Sequence, residues 1–177
     1  AGHVCEPVVG GEPKCFGAVQ IQGIVERAIE KTPIGGAHVA ARDEGGGVVG
    51  NIAVTAADGT YSFTLSAKRK PDGTPVTTLY TLRADAAGFQ TFPGGLRPAL
   101  PVDLGKAVAP ATPDGVWVLK NATTTIDLFP IANTAGLGTI RGTVKSPKPG
   151  GTLLDAGGVT GIADSSGAYA IFNVPSG

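Results

Sequence analysis

Thr55 to Leu65 reads TAADGTYSFTL, a turn followed by a strict alternation. Asp58-Gly59 supplies the positive-φ position of a tight turn, after which Tyr61, Phe63 and Leu65 fall on one face and Thr60, Ser62 and Thr64 on the other. A period of two is the mark of a strand with one buried face. Upstream, VQIQGIVE (Val19 to Glu26) sets Val19, Ile21 and Val25 against Gln20 and Gln22 in the same way. Downstream, TTLYTLRADAAGFQTF continues the pattern through Leu79 or Tyr80 and Leu82. VWVLKNATTTIDLF then adds two strands, with Ile126 and Leu128 flanking Asp127. About seven short strands separated by turn signals predict an all-β fold, an antiparallel sandwich.

Composition agrees. The 177 residues include 28 Gly and 14 Pro alongside plentiful Val, Ile, Thr and Leu, a mix of short strands and turns with no long amphipathic helix. Lys plus Arg equals Asp plus Glu at 14 each, so the chain lacks the basic field that nucleic acid or an anionic membrane requires. No apolar run approaches the roughly 18 to 20 residues of a membrane span.

The opening strands recur. GTIRGTVK (Gly138 to Lys145) places Ile140, Gly142 and Val144 where the first copy has Ile21, Gly23 and Val25. IADSSGAYAIF (Ile162 to Phe172) places Gly167, Tyr169 and Ile171 where it has Gly59, Tyr61 and Phe63. The spacing between the two blocks is eleven residues shorter in the second copy, and the strands beyond Leu65 in the first copy have no counterpart in the second. The expected organisation is an arm over 1–17, a complete sandwich over 18–133 and a partial second module over 134–177.

The order IQGIV, TPIGGAHVAARD, VTAADGTYSF, YTLRADAAGFQT resembles the carboxypeptidase regulatory-like domain, a transthyretin-like (Ig-like) β-sandwich. The likeness covers about Ala18 to Phe92 and resumes at Gly138. It implies a fold and is almost silent on function. In that family the strand ending at Phe63 or Ile171 is followed by a short connection, matched here by FNVPSG, and then by a further strand, so the second module stops before its next strand. The usual first Asp of the family's turn is Ala56 in the first copy and Asp164 in the second, which puts any turn calcium site in doubt in the first.

Two departures from that pattern stand out. SAKRKPDGTPVTT inserts Lys68, Arg69 and Lys70 where the family has a short connection. The expected role is a solvated hairpin tip, the alternative a contact for an acidic neighbour. PGGLRPALPVDLGKAVAPATPDG is a long Pro-rich connection whose Leu96, Leu100, Val102 and Leu104 either pack on their own sandwich or cover a strand edge.

The inventory for chemistry is thin. Cys5 and Cys15 bracket EPVVGGEPK, a stretch that bends back on itself, and a local disulfide fits an exported protein. Its alternative, a metal site on His3, Cys5 and Cys15, lacks a fourth ligand at familiar spacing. The first residue is Ala, which reads as a mature end left by removal of an export signal, the alternative being an arbitrary cut in a longer chain. His38 alternates with Ala37 and Val39 and is expected to point outward. No zinc-peptidase spacing, no G-x-S-x-G elbow and no Tyr/His iron set is present, and Asp43, Glu44 and Asp103 read as isolated loop carboxylates. A covalent self-link of the adhesin type needs a Lys in the first strand, where IQGIVE has none. NAT at Asn121 to Thr123 satisfies a glycosylation sequon that chance supplies often. Trp117, the single Trp, is expected to pack in or over a core.

Catalytic, cofactor and metal residues are therefore expected to be absent. The expected role is a secreted or cell-surface, non-enzymatic structural subunit of a filament or surface layer. It would associate with further copies of itself or another extracellular protein through open sheet edges. The alternative is a spacer or a protein- or glycan-binding module of a longer surface protein.

Overall fold

The computed structural model describes residues 3–95, 97–112 and 115–176, so Leu96 and Gly177 lie outside the described residues. The first module is a two-sheet sandwich. One sheet is built on β3 (Val19–Arg27), paired antiparallel with β6 (Thr60–Leu65). The other is built on β4 (His38–Arg42), flanked by β5 (Val48–Val54) and β7 (Leu79–Asp85). β7 is edged in turn by the two-residue β8 (Val102–Asp103). Val19, Ile21, Val25, Tyr61, Phe63 and Leu65 from the first sheet meet Val39, Ala41, Leu82 and Ala84 from the second. Each large aliphatic side chain so buried contributes roughly 1.5–3 kcal/mol.

The far edge of β3 closes in a way that the alternation could not show. β9 (Trp117–Leu119) and β10 (Thr125–Leu128) lie end to end along it, and both run parallel to β3. Leu119, Ile126 and Leu128 complete the core from this side. The long connection after Phe92 packs on its own sandwich through Val102 and Leu104, both fully buried, while Leu100 stays exposed.

The arm is a hairpin of β1 (His3–Glu6) and β2 (Lys14–Gly17), with Cys5 opposite Cys15 and their sulfurs 2.01 Å apart. It is anchored by the inserted basic cluster, which corrects the expectation of a solvated tip. Lys68 and Lys70 are exposed, but Arg69 between them is wholly buried. Its Nε donates to Glu6 Oε2 at 2.5 Å and its Nη2 to the Gly17 carbonyl at 2.9 Å. Glu6 Oε1 accepts from the Ala67 amide, and the Phe16 and Trp117 rings flank the guanidinium. The physical reason is continuation of period two: Tyr61, Phe63, Leu65, Ala67 and Arg69 all point inward. An inward Arg is tolerated where a carboxylate and carbonyls take its donors.

The second module holds β11 (Leu137–Thr143), β12 (Leu153–Ala156), β13 (Val159–Ile162) and β14 (Ala168–Pro175). β12 and β13 form a hairpin joined by Gly157 and Gly158, both at positive φ, a shorter version of the β4–β5 hairpin. This module lies on the outer face of β4 and β7. Arg83, held by Asp85 through two hydrogen bonds, donates to the Thr160 carbonyl at 2.8 Å. Asn173, at φ 60°, accepts from the Gly88 amide and donates to the carbonyls of Ala86 and Phe89. His38 does point out of its own sandwich, yet it is half-buried rather than free, because Phe172 meets it edge-on at 5.1 Å.

The buried ion pair and the packed imidazole are both open to measurement. Arg69→Met strands a buried carboxylate and should lower stability by about 3–5 kcal/mol in urea unfolding, while Glu6→Leu with Arg69→Met recovers much of that loss. For the imidazole the variable is pH. Burial and then the Arg141 charge push the His38 pKa below its ordinary value, against weaker opposing pulls from Asp85 and Asp164. The folded state therefore keeps His38 neutral, and the unfolded state binds the extra proton, so stability is lost as pH falls through about 6.5. Thermal unfolding at pH 7.5 and 5.0 should show a larger drop for the native chain than for His38→Leu.

Candidate interaction edge

Each repeat is organised around a Tyr lying over a Gly. In the first, Gly23 pairs with Tyr61 and Ile21 with Phe63; in the second, Gly142 pairs with Tyr169 and Ile140 with Ile171. A Cβ on Gly23 would collide with the Tyr61 hydroxyl and the Thr124 carbonyl, and one on Gly142 with the Tyr169 hydroxyl. The glycine is what lets the ring lie flat across the strand.

From that shared start the two modules diverge. Tyr61 donates to the Thr124 carbonyl at 2.7 Å, fixing the point where the chain enters β10. Asn121 prepares that point: its side-chain oxygen accepts from the Thr123 backbone amide and hydroxyl, and its backbone N–H donates to Thr124 Oγ1. The sequon asparagine is thus the cap of the turn that presents the carbonyl. In the second module, among the described residues, β11 pairs with β14 alone and the Tyr169 hydroxyl makes no hydrogen bond. Ile140 is 42% exposed where its counterpart Ile21 is 0%. Leu153 on β12 is 61% exposed. Among the described residues β11 and β12 each have a single strand partner.

The residues singled out for chemistry have structural posts instead. Asp43 Oδ1 accepts from the Gly47 amide in the β4–β5 turn, Asp103 Oδ1 accepts from the Gly105 amide, and Glu44 is exposed on the same turn as Asp43. Asp164 is taken up by its own turn, accepting from the Ser166 and Ala168 amides, and Asp58 does the same for Thr60 in the first copy. Burial pushes the Tyr61 phenol well above its ordinary pKa, so it stays a donor. Trp117 packs against the core with Arg69 over its ring, which removes it as a stacking platform. Among the described residues no three His, Cys, Asp or Glu side chains gather as a metal site. No helix is long and apolar enough to cross a membrane. The residues of that edge were missed by sequence reasoning, although the recurrence of the opening strands was their signal.

No protein-family model and no curated protein matches the chain. Among solved structures it is similar to the group B streptococcus pilus 2b backbone protein, at 15% identity and TM-score 0.44 over 70% of this chain and 45% of that one. It is similar also to the T6 backbone pilin of serotype M6 Streptococcus pyogenes, at 13% identity and TM-score 0.36 over 92% of this chain and 29% of that one. A tetra-tandem repeat in the extending region of a large adhesion protein is similar at 15% identity and TM-score 0.21, over 89% of this chain and 41% of that one. The chain spans less than half the length of each, and at these scores the likenesses assign no function to it.

Proposed function

We propose that this protein is a non-enzymatic structural subunit of an extracellular assembly, joined to further copies by strand pairing at the second module. The observation that carries the reading is Ile140, left 42% exposed on an edge strand whose counterpart in the same chain is sealed. An edge strand presents a row of unpaired N–H and C=O groups, and natural proteins cover, charge or shorten such edges unless they use them. Here β11 carries Ile140 and Leu137 with a single charge, Arg141. The Cys5–Cys15 bond belongs to the same reading, since disulfides persist in oxidising, extracytoplasmic compartments. In that reading the transthyretin-like architecture, as in the carboxypeptidase regulatory-like family, serves as a rigid block rather than a site of reaction.

Sedimentation velocity tests this. The full chain should self-associate as its concentration rises, and both a chain lacking 138–177 and the Ile140→Lys variant should remain monomeric. Ile140→Lys charges the open face without touching the first module. Association that persists in both variants, or a full chain that stays monomeric throughout, would overturn the reading.

A further inference from the structure

A cleft of about 460 Å³ opens on the first module beside β10, within the size range of small-ligand sites. On that strand Ile126 and Leu128 are buried in the core, so Thr125 and Asp127, which alternate with them, face away from it and floor the cleft. Ala28, Phe92, Pro98, Leu100 and Phe129 form its apolar wall, with Leu100 and Phe129 exposed. Arg97 stands over this wall, its guanidinium carbon 5.5 Å from the Phe92 ring centre and 4.5 Å from that of Phe129. Its backbone is pinned by paired hydrogen bonds with Gly94, and its Nη1 donates to the Asp127 carbonyl at 2.5 Å.

Two polar atoms of the cleft are left over. Arg97 Nη2 and Asp127 Oδ1 are both buried, and among the described residues neither has a hydrogen-bond partner. The other half of each group is engaged: Nη1 by the Asp127 carbonyl, and Oδ2 by the exposed Lys31 Nζ at 2.7 Å. Buried polar atoms in native proteins are paired with few exceptions, so a donor and an acceptor orphaned together in one apolar cleft describe the ligand that satisfies both. A carboxylate would suit Arg97 and be repelled by Asp127, an ammonium the reverse, and a hydrocarbon would leave both unpaired. One residue of extended peptide suits both at once, because its N–H and C=O point to the same side while its side chain stands clear of them.

We infer that this cleft binds an extended, uncharged peptide segment of a partner protein, held at one residue with a large apolar side chain. The C=O of that residue accepts from Arg97 Nη2, its N–H donates to Asp127 Oδ1, and its side chain packs among Phe92, Leu100 and Phe129. The fixed fork of the guanidinium allows two tasks at once: Nη1 caps the carbonyl of edge strand β10 while Nη2 reaches the ligand. The site lies wholly within the first module and does not rest on the strand-pairing reading of the second.

The test titrates acetyl-Ala-Leu-Ala-amide into the full chain and follows the protein's amide chemical shifts. Saturable one-to-one binding is expected, with shifts centred on Thr125, Asp127 and Phe129. The ester analogue, in which oxygen replaces the leucine N–H, should bind about 10-fold more weakly, the scale of one hydrogen bond to a charged group. Arg97→Lys, which keeps the charge and loses the fork, should weaken the peptide by a similar factor. The ester comparison uses the native chain, so it decides the matter even where that variant fails to fold. No saturation, equal affinity for peptide and ester, an unchanged affinity in folded Arg97→Lys, or shifts centred away from the cleft would each overturn the inference. Saturation by N-acetylglucosamine with none by the peptide would do the same and assign the cleft to glycan. Ile140→Lys should leave the peptide affinity unchanged, so this inference and the strand-pairing reading fail separately.

Discussion

A single hydrogen bond decides where the sandwich closes. The Tyr61 hydroxyl reaches over Gly23 to the Thr124 carbonyl, and every residue from Thr125 to Leu128 takes its register along β3 from that point. The bond is short, buried and made to backbone, so it constrains the path of the chain rather than one side chain. Three sequence features converge on it: the glycine that makes room, the tyrosine that spans the strand, and the Asn121 cap that turns the carbonyl inward. The second module carries the first two, in Gly142 and Tyr169. That asymmetry, more than any pocket, distinguishes the two halves of the chain.

Legibility in the sequence divides along the same line. Period two in VQIQGIV and GTYSFTL gave the strands and their inward faces, and the repeat matched Ile140 to Ile21 and Ile171 to Phe63, positions that the structure sets opposite each other in both modules. Direction was not legible, because an alternating pattern reads the same in a parallel and an antiparallel partner, and β9 and β10 are parallel. Arg69 illustrates a different failure. The alternation from Tyr61 onward already pointed it inward, but its charge argued for solvent, and the carboxylate that settles the matter stands 63 residues upstream. His38 illustrates a third: alternation identifies which face a side chain takes, not what later packs on that face.

The open edge was partly legible. The second repeat matches the opening strands of the first, yet which of its positions are exposed depends on how those strands dock. Because β14 lies on the outer face of β4 and β7, Ala170 and Phe172 are buried against the first module while Ile140, on the neighbouring strand, is not. The stretch IFNVPSG, which in sequence looks like a mere connection, supplies the clasp: Asn173 adopts a left-handed backbone and binds three backbone groups of the Ala86–Phe89 turn. Asn is among the few residues that take that conformation at low cost.

Parallel closure of β3 also has a consequence for how the chain is made. β3 leaves the ribosome about a hundred residues before the segment that seals it, and at roughly 5–20 residues per second its edge waits on the order of 5–20 s for Thr125 to Leu128. During that interval the nascent first module presents an edge of the same kind as that of β11, which among the described residues pairs with β14 alone. A segment able to add to one is able to add to the other. Order of synthesis, and whatever shields the emerging chain, therefore decides whether that edge is closed from within before it meets another copy.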